Sequence, residues 1–151
     1  MVASMVTGGL NTCFKSGEIM AKIVKTDAEW SESLSPESFQ VTRKHGTERA
    51  FTSALNDEKR KGMFDCICCG KPVFPSDAKF DSGTGWPSFY APAAAEAIGT
   101  TTDRKFFIKR TEVHCADCDA HLGHVFNDGP QPTGLRYCIN GVALKFMPEK
   151  K

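Results

Sequence analysis

The sequence has no uninterrupted run of about 18 apolar residues, so no segment reads as a membrane-spanning helix. It has no excess of either charge. Lys and Arg number 19 against 18 Asp and Glu, a net +1, so the basic footprint of a nucleic-acid binder is missing. It has no internal repeat beyond two short cysteine pairs and no low-complexity linker, so its 151 residues are expected to form one domain. Nor can its cysteines all pair, because there are seven. A secreted disulfide framework would leave one thiol over, and a reducing compartment is the better expectation. The first ten residues lack a basic segment followed by a long apolar run, which argues against a secretory signal. No acidic residue precedes Glu18. A cytoplasmic location is therefore expected, with an organellar address in the N-terminal extension as the alternative.

What is present is ordinary for a globular protein, with 40% hydrophobic and 25% charged residues. Residues 1–21 read as a poorly ordered extension, with Met20-Ala21-Lys22 a candidate functional start, and 22–151 as the single domain. Thr26-Asp27-Ala28-Glu29 has the form of a capping box, with Trp30 and Leu34 spaced for one apolar helix face. Ser35-Pro36-Glu37 opens a second short helix, a cap followed by proline at the first helical position. Gly46-Thr47-Glu48-Arg49 reads as a polar turn and Asn56 to Gly62 as a charged connector, both structural. Ala91-Pro92 opens an expected alanine-rich helix, and Arg104 to His114 alternates as one strand, with Phe106 and Ile108 opposite Phe107 and Lys109. Val142 to Phe146 reads as a last strand, ended by Pro148.

Cys66-Ile67-Cys68-Cys69-Gly70 is a metal knuckle, whose tight turn aims two sulfurs at one point while the glycine supplies positive φ. Cys115-Ala116-Asp117-Cys118 repeats the spacing downstream. One Cys-x-x-Cys would equally suit a redox pair; two point to Cys66, Cys69, Cys115 and Cys118 as the closed four-thiolate site of a structural zinc ion. Two distant knuckles clipped together imply a β-rich antiparallel domain with small helices at its N-terminal edge.

Three further stretches suggest chemistry. In Gly134-Leu135-Arg136-Tyr137-Cys138-Ile139-Asn140-Gly141, strand alternation puts Arg136, Cys138 and Asn140 on one face and Tyr137 and Ile139 on the other. A thiol beside a fixed cation is a candidate nucleophile, since positive charge favours thiolate; the alternative is a small buried hydrophobe. His121-Leu122-Gly123-His124 concentrates half the histidines in four residues. They could ligate a second metal or be satisfied polar groups, but their place beside a candidate nucleophile favours acid–base work, with Asp128 orienting one of them or pairing with Arg136. In Asp81-Ser82-Gly83-Thr84-Gly85-Trp86-Pro87-Ser88-Phe89-Tyr90, the aromatics either wall a pocket for a small apolar group or plug the core.

Taken in order, Cys-x-x-Cys-Gly, Ser82-Gly83-Thr84-Gly85-Trp86-Pro87-Ser88-Phe89, Cys115-x-x-Cys118, His121-Leu122-Gly123-His124-Val125-Phe126 and Arg136-Tyr137-Cys138-Ile139-Asn140 resemble the B-type methionine sulfoxide reductases over roughly residues 22–147, and Gly46-Thr47-Glu48-Arg49 fits the family's N-terminal part. The resemblance implies a mainly β fold of two antiparallel sheets with small peripheral N-terminal helices, a structural zinc, and reduction of methionine-R-sulfoxide, free or in oxidised proteins. It implies Cys138 as nucleophile, His124 as acid, His121 as orienting or second acid group, and Asn140 as a hydrogen-bonding group. Trp86 would receive the ε-methyl group, while Arg136 with Asp128 would set the electrostatics and hold His124. The expected partner is a thioredoxin-like or other thiol reductant, with neither nucleic acid nor membrane. Thr84 departs from the pattern, since many members carry a resolving cysteine there. Recycling then falls to Cys13, Cys68 or an external thiol, with Cys68 disfavoured because it lies between two zinc ligands. A zinc-ribbon binding module and a non-turnover thiol sensor are the competing classes. Neutral charge and the clustered histidines count against the first, and a sensor would not discriminate sulfoxide epimers.

Overall fold

A computed structural model describes residues 22–149 apart from 106 and 107. The expected N-terminal extension and Cys13 lie outside the described residues. Two short helices come first. Helix α1 (Asp27–Ser33) begins with the reciprocal capping box of Thr26 and Glu29. Helix α2 (Pro36–Lys44) begins with the Ser35 hydroxyl accepting from Ser38 N–H and proline in its first turn. α1 buries Trp30, and the Arg43 guanidinium of α2 stacks 4.4 Å from the indole centroid. No helix among the described residues is long and apolar enough to cross a membrane.

The described residues after them include nine strands: β1 (Gly62–Cys66), β2 (Pro72–Pro75), β3 (Lys79–Phe80), β4 (Ser88–Phe89), β5 (Ile98–Lys105), β6 (Ile108–Cys115), β7 (His121–Phe126), β8 (Arg136–Ile139) and β9 (Leu144–Pro148). They form two antiparallel sheets, ordered β2-β1-β9 and β3-β4-β8-β7-β6-β5. The expected mainly β architecture of two antiparallel sheets and peripheral helices is what the molecule has.

Aromatic rings fill the space between the sheets. Phe64 and Phe74 of the small sheet meet Phe89 of the large one at 5.1 and 4.6 Å, and Tyr137 lies 5.6 Å from Phe74. Burying Phe89 and Tyr137 in this core fixes the pleat of β4 and β8, because successive side chains of a strand point to opposite faces. Ser88 and Cys138 are thereby turned to the other face.

Three expectations need correction. The last strand begins later than expected: Val142 and Ala143 lie in a 3₁₀ turn at Gly141–Ala143, and the strand runs over Leu144–Pro148. Residues 104–114 are not one strand: Arg104 and Lys105 end β5, and Ile108 begins β6. β5 and β6 pair antiparallel and alternation continues through both, so period alone does not reveal the reversal. The alanine-rich segment after Pro92 makes no α-helix, only a single 3₁₀ turn at Ala95–Ala97. Its few residues pass straight into β5, too short for helix nucleation to recover its cost.

Candidate active site

Both cysteine knuckles are the turns of β-hairpins, one from each sheet. In β1–β2, Gly70 N–H bonds the Cys66 carbonyl at 2.8 Å with Gly70 at φ +83°; in β6–β7, Asp119 N–H bonds the Cys115 carbonyl at 2.9 Å with Asp119 at φ +63°. Asp119 thus takes the left-handed position that glycine takes in the first knuckle, as short polar side chains can. The turns meet. The sulfurs of Cys66 and Cys118 lie 3.6 Å apart, as do those of Cys69 and Cys115, and all four fall within 4.8 Å of one another. Four sulfurs at ~2.3 Å from a central zinc would stand ~3.8 Å apart, so the set is of the size a tetrahedral ion needs. Arg43 closes the outside, donating to the Cys118 carbonyl at 2.8 Å.

The second cluster of chemistry lies across the large sheet. Register pairs Ser88 with Cys138, Cys138 with His124, His124 with Glu112, and Glu112 with Thr101. Paired residues project to the same face, so these five form one row across five strands. A cleft of about 320 Å³ opens over the row, lined by Cys138, His124, Trp86, Asn140, Arg136 and Thr84 among others. Five expected site residues therefore gather around one space.

Asp128 and His121 stand off it. Asp128, at the surface, receives Arg136 Nε and Nη2 at 2.9 and 3.2 Å, so of its two expected roles it takes the pairing with Arg136. The Arg136 guanidinium also lies 4.5 Å from the centroid of Phe126, fixing its direction from two sides. His121 is buried behind His124, their ring centroids 5.5 Å apart, and its Nδ1 lies 2.7 Å from Glu112 Oε2. With the carboxylate as acceptor, Nδ1 is the protonated nitrogen. Burial raises the Glu112 carboxyl, but the His121 bond and nearby His114 and His45 outweigh it and hold the group below its ordinary value.

Trp86 divides from its aromatic neighbour. Phe89 is fully buried in the core, whereas Trp86 lines the cleft with its Nε1–H donated to the Glu48 carbonyl at 2.9 Å.

Burial pushes the Cys138 thiol above its ordinary value. The Thr84 hydroxyl, 3.9 Å from the sulfur, and Arg136 pull the other way without reversing it. This corrects the expectation from Arg136 alone: a neighbouring cation does not by itself make the resting thiolate, because desolvation is the larger effect.

Four participants are not evident in the sequence: Glu112, which holds His121, and Glu48, Ser82 and Ser88. Glu48, read as part of a structural turn, pins the site: its N–H donates to Asn140 Oδ1 at 2.9 Å, its carbonyl holds Trp86, and its carboxylate accepts from Val142 N–H at 3.0 Å. Asn140 Nδ2 in turn donates to the Leu122 carbonyl at 3.0 Å, tying that turn to β7. Ser82 and Ser88 form a hydroxyl chain at 2.7 and 2.8 Å that ends on Thr84, beside the sulfur. Signals existed. A glutamate stands between a glycine turn and an aromatic, and serines flank a tryptophan; the partners of Glu48 lie far away in sequence, whereas those of the serines lie within six residues.

A family model described as the SelR domain matches residues 34–148. The chain belongs to this family. A protein of Pseudomonas putida (strain W619) called peptide methionine sulfoxide reductase MsrB is 60% identical over 129 residues, covering 85% of this chain and 97% of its own length. Proteins of the same description from Hahella chejuensis and Acinetobacter baumannii (strain AYE) are 53% and 52% identical, covering 91% and 95% of their own lengths. The SelR-domain match begins at Leu34, just past α1, and ends in β9, so it takes in both knuckles and the whole Cys138 row.

Proposed function

We infer that this chain is a thiol-dependent oxidoreductase that reduces methionine-R-sulfoxide to methionine. The observation that carries the reading is the row Ser88–Cys138–His124–Glu112 beneath a cleft walled by Trp86, in a chain similar along nearly its whole domain to relatives called methionine sulfoxide reductases.

The sulfoxide is a polar, chiral lesion, and its reversal by a thiol needs a nucleophile, an acid and a methyl-sized pocket. The substrate's ε-methyl group rests on Trp86, whose anchored ring selects one face of the sulfur. Cys138 Sγ attacks that sulfur as thiolate. Its proton must leave first, against the effect of burial, and Thr84 and Arg136 stabilise the charge that results. As the new S–S bond forms, His124 protonates the sulfoxide oxygen, which would otherwise be too poor a leaving group. His121, fixed by Glu112, orients His124 or resupplies its proton. The hydroxyl then passes from the substrate sulfur to Cys138 Sγ as the S–S bond breaks with its electron pair on the substrate sulfur, releasing methionine and leaving a sulfenic acid on Cys138; the substrate sulfur has gained two electrons and Cys138 has lost two. A second thiol then attacks Cys138, releasing water and forming a disulfide, and a further thiol restores the resting enzyme. With a hydroxyl at position 84, that second thiol is external or Cys13.

Zinc is the metal we assign to Cys66, Cys69, Cys115 and Cys118. Four thiolates fill its coordination sphere, so it clips the two sheets together and leaves the redox chemistry to the cleft. Methionine release from separated R and S epimers of a blocked methionine sulfoxide, with excess dithiothreitol, tests the reading. Release from the R epimer alone supports it; release from neither, by zinc-loaded folded protein, sinks it. Peptide mapping after one equivalent of substrate tests the recycling step, and a Cys138–Cys68 bridge would refute it.

A further inference from the structure

Beside the reaction cleft lies a second one, of about 240 Å³, lined by His45, Glu112, His121, His124, Arg110 and Thr47 among others. Three of its side chains converge. His45 Nε2 lies 3.7 Å from Glu112 Oε2, His121 Nδ1 lies 2.7 Å from the same oxygen, and one ligand atom from each of the three falls within 4.8 Å of the others.

The two histidines arrive by unrelated routes. His121 enters on β7 and is locked in place, its side chain 4% exposed. His45 caps the C-terminus of α2 with a left-handed backbone, φ 57°, a conformation that costs a non-glycine residue energy. It is 68% exposed, yet its ring centroid is held 5.1 Å from that of His121. A buried His–carboxylate pair alone would only orient the imidazole. A second imidazole on the solvent side, aimed at the same oxygen, gives the set of two nitrogens and one carboxylate that binds first-row divalent ions.

The spacing agrees. Bonds of ~2.0–2.2 Å around a tetrahedral ion place its nitrogen and oxygen ligands ~3.3–3.6 Å apart. The His45 distance needs to close slightly, which an exposed ring can do. The His121 distance needs to open as the ion replaces the shared proton.

We propose that His45, Glu112 and His121 form a second site for a divalent first-row transition ion, distinct from the four-cysteine cluster, and that an ion bound there withdraws His121 from the reaction centre and inhibits reduction. Entry is through the exposed His45, and binding releases the His121 Nδ1 proton to solvent. The site itself stands on geometry; the inhibition rests on the role given to His121 above.

Cobalt(II) is the probe, added to pre-reduced, zinc-loaded enzyme free of added thiol. Its visible spectrum separates nitrogen–oxygen from thiolate ligation, and metal analysis follows the resident zinc. The expected result is one cobalt per chain in addition to zinc, with d–d bands and no thiolate charge-transfer band, and loss of that cobalt in His45→Ala with zinc retained. Single-turnover methionine formation should fall by ~10-fold or more on saturation, from loss of an acid–base partner. It should be unaffected by cobalt in His45→Ala, whose metal-free turnover matches the wild type. Equal binding by His45→Ala, a thiolate band, or no bound cobalt would overturn the site. Binding at the site with undiminished single turnover would overturn the inhibition and, with it, the role of His121, while leaving the sulfoxide reaction itself in place.

Discussion

Two regions of this molecule use the same atom to opposite ends. At the knuckles, four cysteine sulfurs face one another across two hairpin turns, within 4.8 Å, enough to fill every coordination position of a tetrahedral ion were one bound. In the cleft a single sulfur, that of Cys138, faces open space, with hydroxyls on one side and imidazole and guanidinium on the other. A thiolate enclosed by three others and a metal has no vacant direction from which substrate could approach; a thiolate alone at the floor of a cleft has one. Whether a cysteine holds the fold or reacts is decided by what surrounds it.

That contrast is sharpest where the metal is removed. Cys115→Ser should lose zinc and unfold the domain cooperatively, since the free energy of a structural zinc site is on the order of 10 kcal/mol. Metal analysis and a thermal scan together check it. Cys138→Ser should do the converse, abolishing turnover by ~10⁴-fold or more, as loss of a covalent nucleophile does, with zinc content and melting unchanged. His124→Ala should lower kcat/KM by ~10²–10⁴-fold, the range for a general acid, again with zinc retained.

The next effect is smaller. Glu48→Ala removes the acceptor of Val142 N–H, and leaving that donor unpaired should cost about 1–3 kcal/mol in denaturant unfolding and raise KM, because Trp86 hangs from the same turn. Burial raises the Glu48 carboxyl above its ordinary value, against the opposing pull of Gly141 and Val142 N–H. The native state therefore holds the proton more tightly than the unfolded chain. Its contribution is fully present below the ordinary carboxyl value and is lost as pH rises through the raised one, a loss absent in Glu48→Gln.

The smallest shift concerns Cys138 itself. Because burial raises its thiol, iodoacetamide alkylation should accelerate as pH rises past the ordinary cysteine range, and Arg136→Ala should move the profile further alkaline. A profile in Arg136→Ala displaced to lower pH would contradict the assigned balance.

The knuckles, the helix caps and the pleat of β8 were legible because each is set by residues adjacent in sequence. Cys-x-x-Cys fixes its own turn, Thr26 and Glu29 cap each other, and alternation alone turns Cys138 away from Tyr137. What resisted were relations across the sheet. The 2.7 Å contact of Glu112 with His121 depends on the register of β6 against β7, including the bulge between Val113 and His114. That of Ser88 with Cys138 depends on β4 lying beside β8. Glu48 looked like turn filler because its partners, Asn140 and Val142, are more than 90 residues away. The Cys138 thiol shows the same limit in energetic form: Arg136 was visible two residues off, but the burial that outweighs it was not.

The most direct test of the central claim is a single turnover of reduced, zinc-loaded enzyme with each sulfoxide epimer, free of added thiol, followed by a sulfenic-acid trap and peptide mass analysis. The account predicts one methionine per chain and one trapped adduct on Cys138 from the R epimer, neither from the S epimer, and zinc unchanged. Methionine formed without modification of Cys138, or an adduct on a knuckle cysteine in its place, would contradict it.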